Sequence, residues 1–308
     1  MFKKLSPHTI SILQAVLVTA LWSSSWVLIK FGLADIPALT FAGLRYMLAF
    51  LVLLPVAWRR GTLRSLRGLP RTAWIGLFVL GVLFYAVTQG AQFVGLALLP
   101  AITVNLLLNF TTVLVALMGM VWLAEHLTPL QWGGVILSLA GAVVYFVPVV
   151  IPPDQGWGVV VVMIGVLANA VSSILGRAVN RTGTLPPLGV TVISMGVGAA
   201  ILLESGIAFQ GLPPISVRGW ISIAWLAVVN TAFAFTLWNH TLRTLRAVES
   251  SVINSTMLVQ IPLLAWLFLG ENPTGKEILG MVLAGVGTIL VQIRWRQKDL
   301  QIDKPSRR

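Results

Sequence analysis

The sequence predicts an all-α polytopic membrane protein, with ten transmembrane helices arranged as two inverted five-helix repeats (5+5) around a central cavity. Three observations predict it. Hydrophobic residues make up 57% and charged residues only 10% of the 308 positions, whereas a soluble domain carries roughly 25% charged residues. Apolar runs of about 20 residues, the length of a bilayer span, recur along nearly the whole chain. A long stretch of the first half is also repeated in the second. A transmembrane barrel would show alternating segments of about ten residues instead, and the sequence has none.

Breaks at Pro, Gly and charge set the elements in order. The first runs over 9–31. It is too long for the apolar region of a cleaved signal and lacks a small-residue cleavage site, so it reads as a retained span. The second, 38–58, stops at Arg59 and Arg60, in a loop that also holds Arg64, Arg67 and Arg71. The third, 72–96, meets the fourth, 101–123, through the neutral turn Leu98–Ala101. The fourth ends at Glu125 and the fifth, 129–147, follows Thr128. The sixth to eighth cover 157–178, 187–206 and 218–242. A turn with Arg243 and Arg246 leads to the ninth, 247–269, and Glu271 separates that from the tenth, 275–295. The predicted organisation is a first repeat over 1–150, a second over 151–296, and a basic tail over 297–308.

Charge gives the orientation. With both termini in the cytoplasm, the inside holds 17 of the 21 Lys and Arg residues and the outside half keeps only Lys30, Arg45, Arg218 and Lys276. This is the positive-inside pattern. It also accounts for the net charge of +12 without nucleic acid as a partner, because the cations sit in short loops and tails. The absence of cysteine excludes disulfides, thiol catalysis and Cys metal sites.

The repeat is gapless. Shifted by 146, residues 72–146 lie on 218–292 with 16 of 75 pairs identical, among them Trp74/Trp220, Ala101/Ala247, Glu125/Glu271, Thr128/Thr274, Gly134/Gly280 and Gly141/Gly287. Upstream the match weakens, with Ser24-Ser25 falling near Ser172-Ser173. Five helices per copy is an odd number, so the second copy enters the membrane inverted. Inverted repeats around a midplane site are a transporter architecture with two related conformations. Gly134 and Gly141, and likewise Gly280 and Gly287, lie seven apart on one helix face. They mark the fifth and tenth helices as scaffold away from the cavity, with a homodimer contact as a further reading.

The resemblance here becomes specific. The motif LWSSSWVLIK in the first helix and the stretch LGENPTGKEILGMVLAGVGTILV in the last resemble the drug/metabolite transporter superfamily, EamA type, which includes YddG-type amino-acid exporters. The resemblance covers roughly residues 10–295. It implies a multi-pass protein of the bacterial inner membrane that exports small metabolites, amino acids foremost.

Polar side chains within spans are costly and face the bundle interior, and their spacing shows whether they share a face. Tyr85, Gln89 and Gln92 lie at i, i+4, i+7 on the third helix, and Asn105, Asn109 and Thr112 repeat that spacing on the fourth. The first helix adds Trp22, Ser25 and Trp26, and the sixth adds Asn169, Ser172 and Ser173. Through the repeat, Gln89 and Gln92 map to Phe235 and Trp238, and Asn109 maps to Ser255. The predicted substrate-binding set is therefore Trp22, Ser25, Trp26, Tyr85, Gln89, Gln92, Asn105, Asn109, Asn169, Ser173, Phe235, Trp238 and Ser255.

For any single Ser, helix–helix hydrogen bonding is the competing reading. Trp58, Trp74, Trp132, Trp157, Trp220 and Trp295 read as interfacial anchors, and His240 as a hydrated residue near a helix end. Glu125 and Glu271 read as acceptors for the backbone N–H groups that start the following helix, with gating or proton coupling as the sharper reading. Lys30 and Arg45 read as snorkelling or paired with Asp35.

No acid sits clearly mid-span, which argues against cationic drugs. No basic cluster points inward, which argues against sugar phosphates. The cargo that remains is a small, net-neutral or zwitterionic molecule with a polar head and an apolar body. Multidrug, metabolite or lipid-like cargo is the alternative on the same fold. Histidines 8, 126 and 240 do not cluster and no HExxH or GxSxG occurs, so no enzyme, catalytic residue, metal or cofactor is predicted.

Overall fold

The computed structural model describes residues 6–66, 68–123, 127–147, 153–181, 186–241, 244, 245 and 253–292. Among the described residues nine helices are long and apolar enough to cross a membrane, and a tenth apolar helix is shorter. In chain order they are α1 (Pro7–Gly32), α2 (Ala38–Arg59), α3 (Arg71–Leu98), α4 (Ala101–Leu123) and α5 (Pro129–Phe146), then α6 (Pro153–Arg181) and α7 (Pro187–Gln210). The last three are α8 (Val217–Ala227, continued through Val228–Phe233 and Ala234–Thr241), α9 (Ile253–Leu269) and α10 (Gly275–Gln292). These follow the predicted spans within a few residues, except that α6 and α7 are longer. Residues 247–252 of the predicted ninth span lie outside the described residues, as do Glu125, Arg243, Arg246 and Trp295.

Local chemistry fixes the helix starts. Ser6 caps α1 by accepting from the Thr9 N–H, and Pro7 occupies the first turn, where its missing N–H costs nothing. Thr128 and Gln131 form a capping box at α5. Thr274 and Glu277 exchange the same pair of bonds at α10.

Among the described residues two helices contain π-helical segments, which hydropathy cannot reveal. Gly81–Thr88 in α3 and Val228–Phe233 in α8 are π-helical. In each, a threonine hydroxyl donates to a carbonyl five residues back, Thr88 to Leu83 at 2.8 Å and Thr231 to Leu226 at 2.8 Å. Such segments are rare and are often found at functional sites.

Packing rests on close backbone approach. A Cβ built on Gly287 would stand 2.6 Å from the Gly134 carbonyl oxygen, and one on Gly141 would stand 2.6 Å from that of Gly280. α5 and α10 therefore cross within one chain through all four glycines that the repeat singles out. The glycine faces of these two helices thus have each other as partners. Only the outer sides of α5 and α10, with Trp132, Val143, Leu279 and Val282 exposed, remain for lipid or a second copy. α2 and α7 cross in the same way, with Gly206 against the backbone of Thr40. The core lies between these pairs. In it Phe41 meets Phe93 edge-on at 5.3 Å, both fully buried.

Candidate functional site: a polar cavity at the centre of the bundle

The predicted polar faces converge. A cavity of about 340 Å³ lies among the helices. α1 contributes Trp22, Ser25 and Trp26; α3 contributes Gln89 and Gln92; α4 contributes Asn105 and Asn109. Asn169 of α6, Phe235 of α8 and Ser255 of α9 complete the ten predicted residues that line it. The other three do not. Tyr85 is buried outside the lining, edge-on to Tyr46 at 5.7 Å and to Phe84 at 4.9 Å. Ser173 is exposed and donates to the Asn169 carbonyl of its own helix at 2.8 Å. Trp238 stands outside the lining, with its ring 5.3 Å from that of Trp22. Helical spacing identifies a face, but neighbouring helices decide which of its residues meet the opening.

Several lining groups are held by bonds that leave part of their capacity free. The Tyr46 hydroxyl donates to Gln89 Oε1 at 2.6 Å, which fixes the amide. Asn109 Nδ2 donates to the Asn105 carbonyl at 2.7 Å, and Asn169 Nδ2 to Thr111 Oγ1 at 3.3 Å. Ser25 donates to the Trp22 carbonyl at 2.5 Å. Trp22 lies against Phe235 with ring centroids 5.2 Å apart, and its buried indole N–H has no acceptor among the described residues.

Sequence reasoning missed Arg45. It neither snorkels nor pairs with Asp35, which is exposed. Arg45 is only 4% exposed and lines the cavity. Its Nε donates to Thr231 Oγ1 at 3.1 Å in the π segment of α8, and its guanidinium carbon lies 5.3 Å from the Tyr46 ring centroid and 5.9 Å from that of Phe93. The signal was present. A charged residue amid an apolar span is by default functional, and the neighbouring Tyr46 offered a ring to receive it. Thr288 and Gln292 of α10 also line the cavity, so the tenth helix is both scaffold and wall.

The two ends of the cavity differ. Its lining extends to Asn254 and Gln292, at the ends of α9 and α10. The opposite end is tied by hydrogen bonds between helices. Glu271 accepts the Ala101 N–H at 2.6 Å and the Ile102 N–H at 3.0 Å, while Lys30 Nζ donates to the Leu99 carbonyl at 2.8 Å. Glu271 thus caps the start of α4 rather than the helix that follows it, a correction to the local reading. Lys30 serves the same junction.

A multi-pass helical bundle with a polar cavity large enough for a small molecule has the features that a solute transporter requires. The chain is a member of the EamA-like transporter family, whose profile matches it twice, over residues 9–147 and 156–293. It is 29% identical over 303 residues to a protein of Escherichia coli (strain K12) named "Probable amino-acid metabolite efflux pump", covering 92% of this chain and 95% of that one. It is also 29% identical over 234 residues to the uncharacterized transporter YvbV of Bacillus subtilis (strain 168), covering 74% and 70% of the two chains. A solved crystal structure superposes with a TM-score of 0.64 at 21% identity, over 93% of this chain and 97% of that one, which speaks to fold alone.

Proposed function

We propose that this protein is a secondary transporter of small zwitterionic metabolites, amino acids foremost, that exports them across the bacterial inner membrane by alternating access. The observation that carries the reading is the central cavity, polar at Gln89, Asn105 and Asn109 and aromatic at Trp22, Trp26 and Phe235. It extends toward one end of the bundle while the Glu271 end is tied. The ten lining residues of the predicted set are the proposed substrate contacts, with Trp238 bracing Trp22 from behind.

In this reading the two matches to the family are inverted five-helix repeats. Three observations support the repeat, and the odd number of helices per copy makes it inverted. Ser138 donates to the carbonyl of Ala284, the residue on which the 146-residue shift places it (138 + 146 = 284). The π segment at 228–233 corresponds to 82–87 (228 − 146 = 82; 233 − 146 = 87), inside the π segment of α3. The capping boxes at Thr128 and Thr274 are again 146 apart (274 − 128 = 146). The charge split puts both termini in the cytoplasm, so that the cavity faces the cytoplasm and the Glu271 end faces outward.

The test is counterflow. Purified protein in liposomes loaded with unlabelled leucine or phenylalanine should accumulate labelled amino acid in a saturable way. A lack of exchange with a panel of neutral amino acids, by protein that remains monodisperse, would reject the amino-acid reading.

A further inference from the structure

A guanidinium withdrawn from water needs compensation. Buried charges are ordinarily paired with an opposite charge or spread over several hydrogen bonds. Arg45 has neither. Among the described residues its one hydrogen-bond partner is the neutral Thr231 hydroxyl, through Nε. Two aromatic rings supply weak cation–π contact. The terminal nitrogens have no protein acceptor among the described residues, yet they are not among the buried polar atoms that lack a partner. They are therefore open to the cavity that Arg45 lines. Among the described residues the lining contains no Asp or Glu, so it combines one fixed cation with no fixed anion.

From this we propose that Arg45 is the specificity-determining residue of the cavity, binding the carboxylate of the cargo through its terminal nitrogens. The preferred cargo class is a monocarboxylate with an apolar body, and the ammonium group of an amino acid is tolerated rather than required. This deepens the transport reading above and rests on it. The chemistry is a planar, five-donor fork that matches a carboxylate side-on. The Thr231 bond and the two rings fix the fork, leaving its free edge for the ligand. An ammonium would meet no carboxylate there, only neutral amide and hydroxyl oxygens, aromatic faces and a like charge. The aromatic wall of Trp22, Trp26 and Phe235 takes the body.

Binding to the purified full-length protein tests this with three probes of one shape: phenylalanine, its deaminated analogue 3-phenylpropionate, and phenylalanine methyl ester. The wild type should bind 3-phenylpropionate at least as tightly as phenylalanine, and the ester more weakly by roughly 10- to 100-fold, the range for a hydrogen bond to a charged group. Arg45→Gln should remove the discrimination between acid and ester. Arg45→Lys, which keeps charge but not the fork, should restore part of it. If the ester binds the wild type as well as the acids do, the proposal is overturned without any variant having to fold. The same holds if Arg45→Gln binds the acids unchanged. Binding of 3-phenylpropionate but not phenylalanine, lost in Arg45→Gln, would uphold Arg45 while rejecting amino acids as cargo. If no carboxylate binds, both proposals fall.

Discussion

The seam between α5 and α10 and the wall formed by α1, α2 and α8 are both buried and both contain polar residues, but they treat those residues differently. In the seam the hydrogen-bonding groups are spent. Ser138 donates to the Ala284 carbonyl at 3.2 Å and lies 3.4 Å from the Thr288 hydroxyl. Gln131 donates to the Val291 carbonyl at 3.1 Å while its carbonyl accepts from the Thr128 N–H. In the wall, capacity is left over at Arg45 and at the Trp22 indole. Lipid tails are as apolar as side chains, so helices in a bilayer associate through close packing and satisfied polar groups. A seam built on glycine with its bonds closed is scaffold. A wall with donors in reserve is built for a ligand.

The largest expected effect comes from filling the seam. Gly287→Leu or Gly141→Leu places a side chain where a Cβ alone would lie 2.6 Å from a backbone oxygen of the facing helix. The two backbones must separate, so folded, monodisperse protein should be lost on size-exclusion chromatography. Gly133→Leu is the matched control, since a Cβ there meets nothing within 4 Å, and it should purify like the wild type. Normal behaviour of Gly287→Leu would mean that the seam is not the scaffold.

The sequence announced the seam more clearly than the site. Hydropathy and the charge split are properties of whole segments, so the spans were legible to within a few residues. The glycine pairs were legible as a face because their spacing of seven survives in both copies. Their partner was not, because a helix face does not say whether it meets its own chain or another. The π segments were invisible because a shift of backbone register inside an apolar helix leaves no mark on hydropathy. Arg45 was misassigned for a related reason. Its depth in α2 suits snorkelling, and only the fold brings Thr231, Tyr46 and Phe93 around it. Tyr85, Ser173 and Trp238 were placed in the cavity by period and repeat alone, and in the fold they stand outside its lining.

An intermediate effect should follow from cutting the tie at the end opposite Gln292. Glu271→Ala removes the acceptor of two N–H groups at the start of α4. Orphaned backbone donors cost about 1–3 kcal/mol each when they are kept from water, and half-exposed Glu271 places the expected loss at the lower end of that range. The melting temperature should fall by a few degrees while ligand binding in the cavity persists. Wild-type stability with abolished transport would instead make Glu271 a coupling residue and would move it from the scaffold side of the comparison to the functional side.

The smallest effect is expected at Asn109, and it is the sharpest test of the boundary between seam and wall. Its Nδ2 donates within α4 to the Asn105 carbonyl at 2.7 Å, which orients the amide without tying it to another helix. Its Oδ1 bonds to no described residue and belongs to a side chain that lines the cavity. Asn109→Ala should therefore leave the melting temperature within about a degree of wild type, because no interhelical bond is lost. It should weaken ligand affinity by about tenfold, the equivalent of one ordinary hydrogen bond of about 1.4 kcal/mol. A variant that melts early and binds normally would place Asn109 with Ser138 among the helix-joining residues and remove it from the ligand contacts.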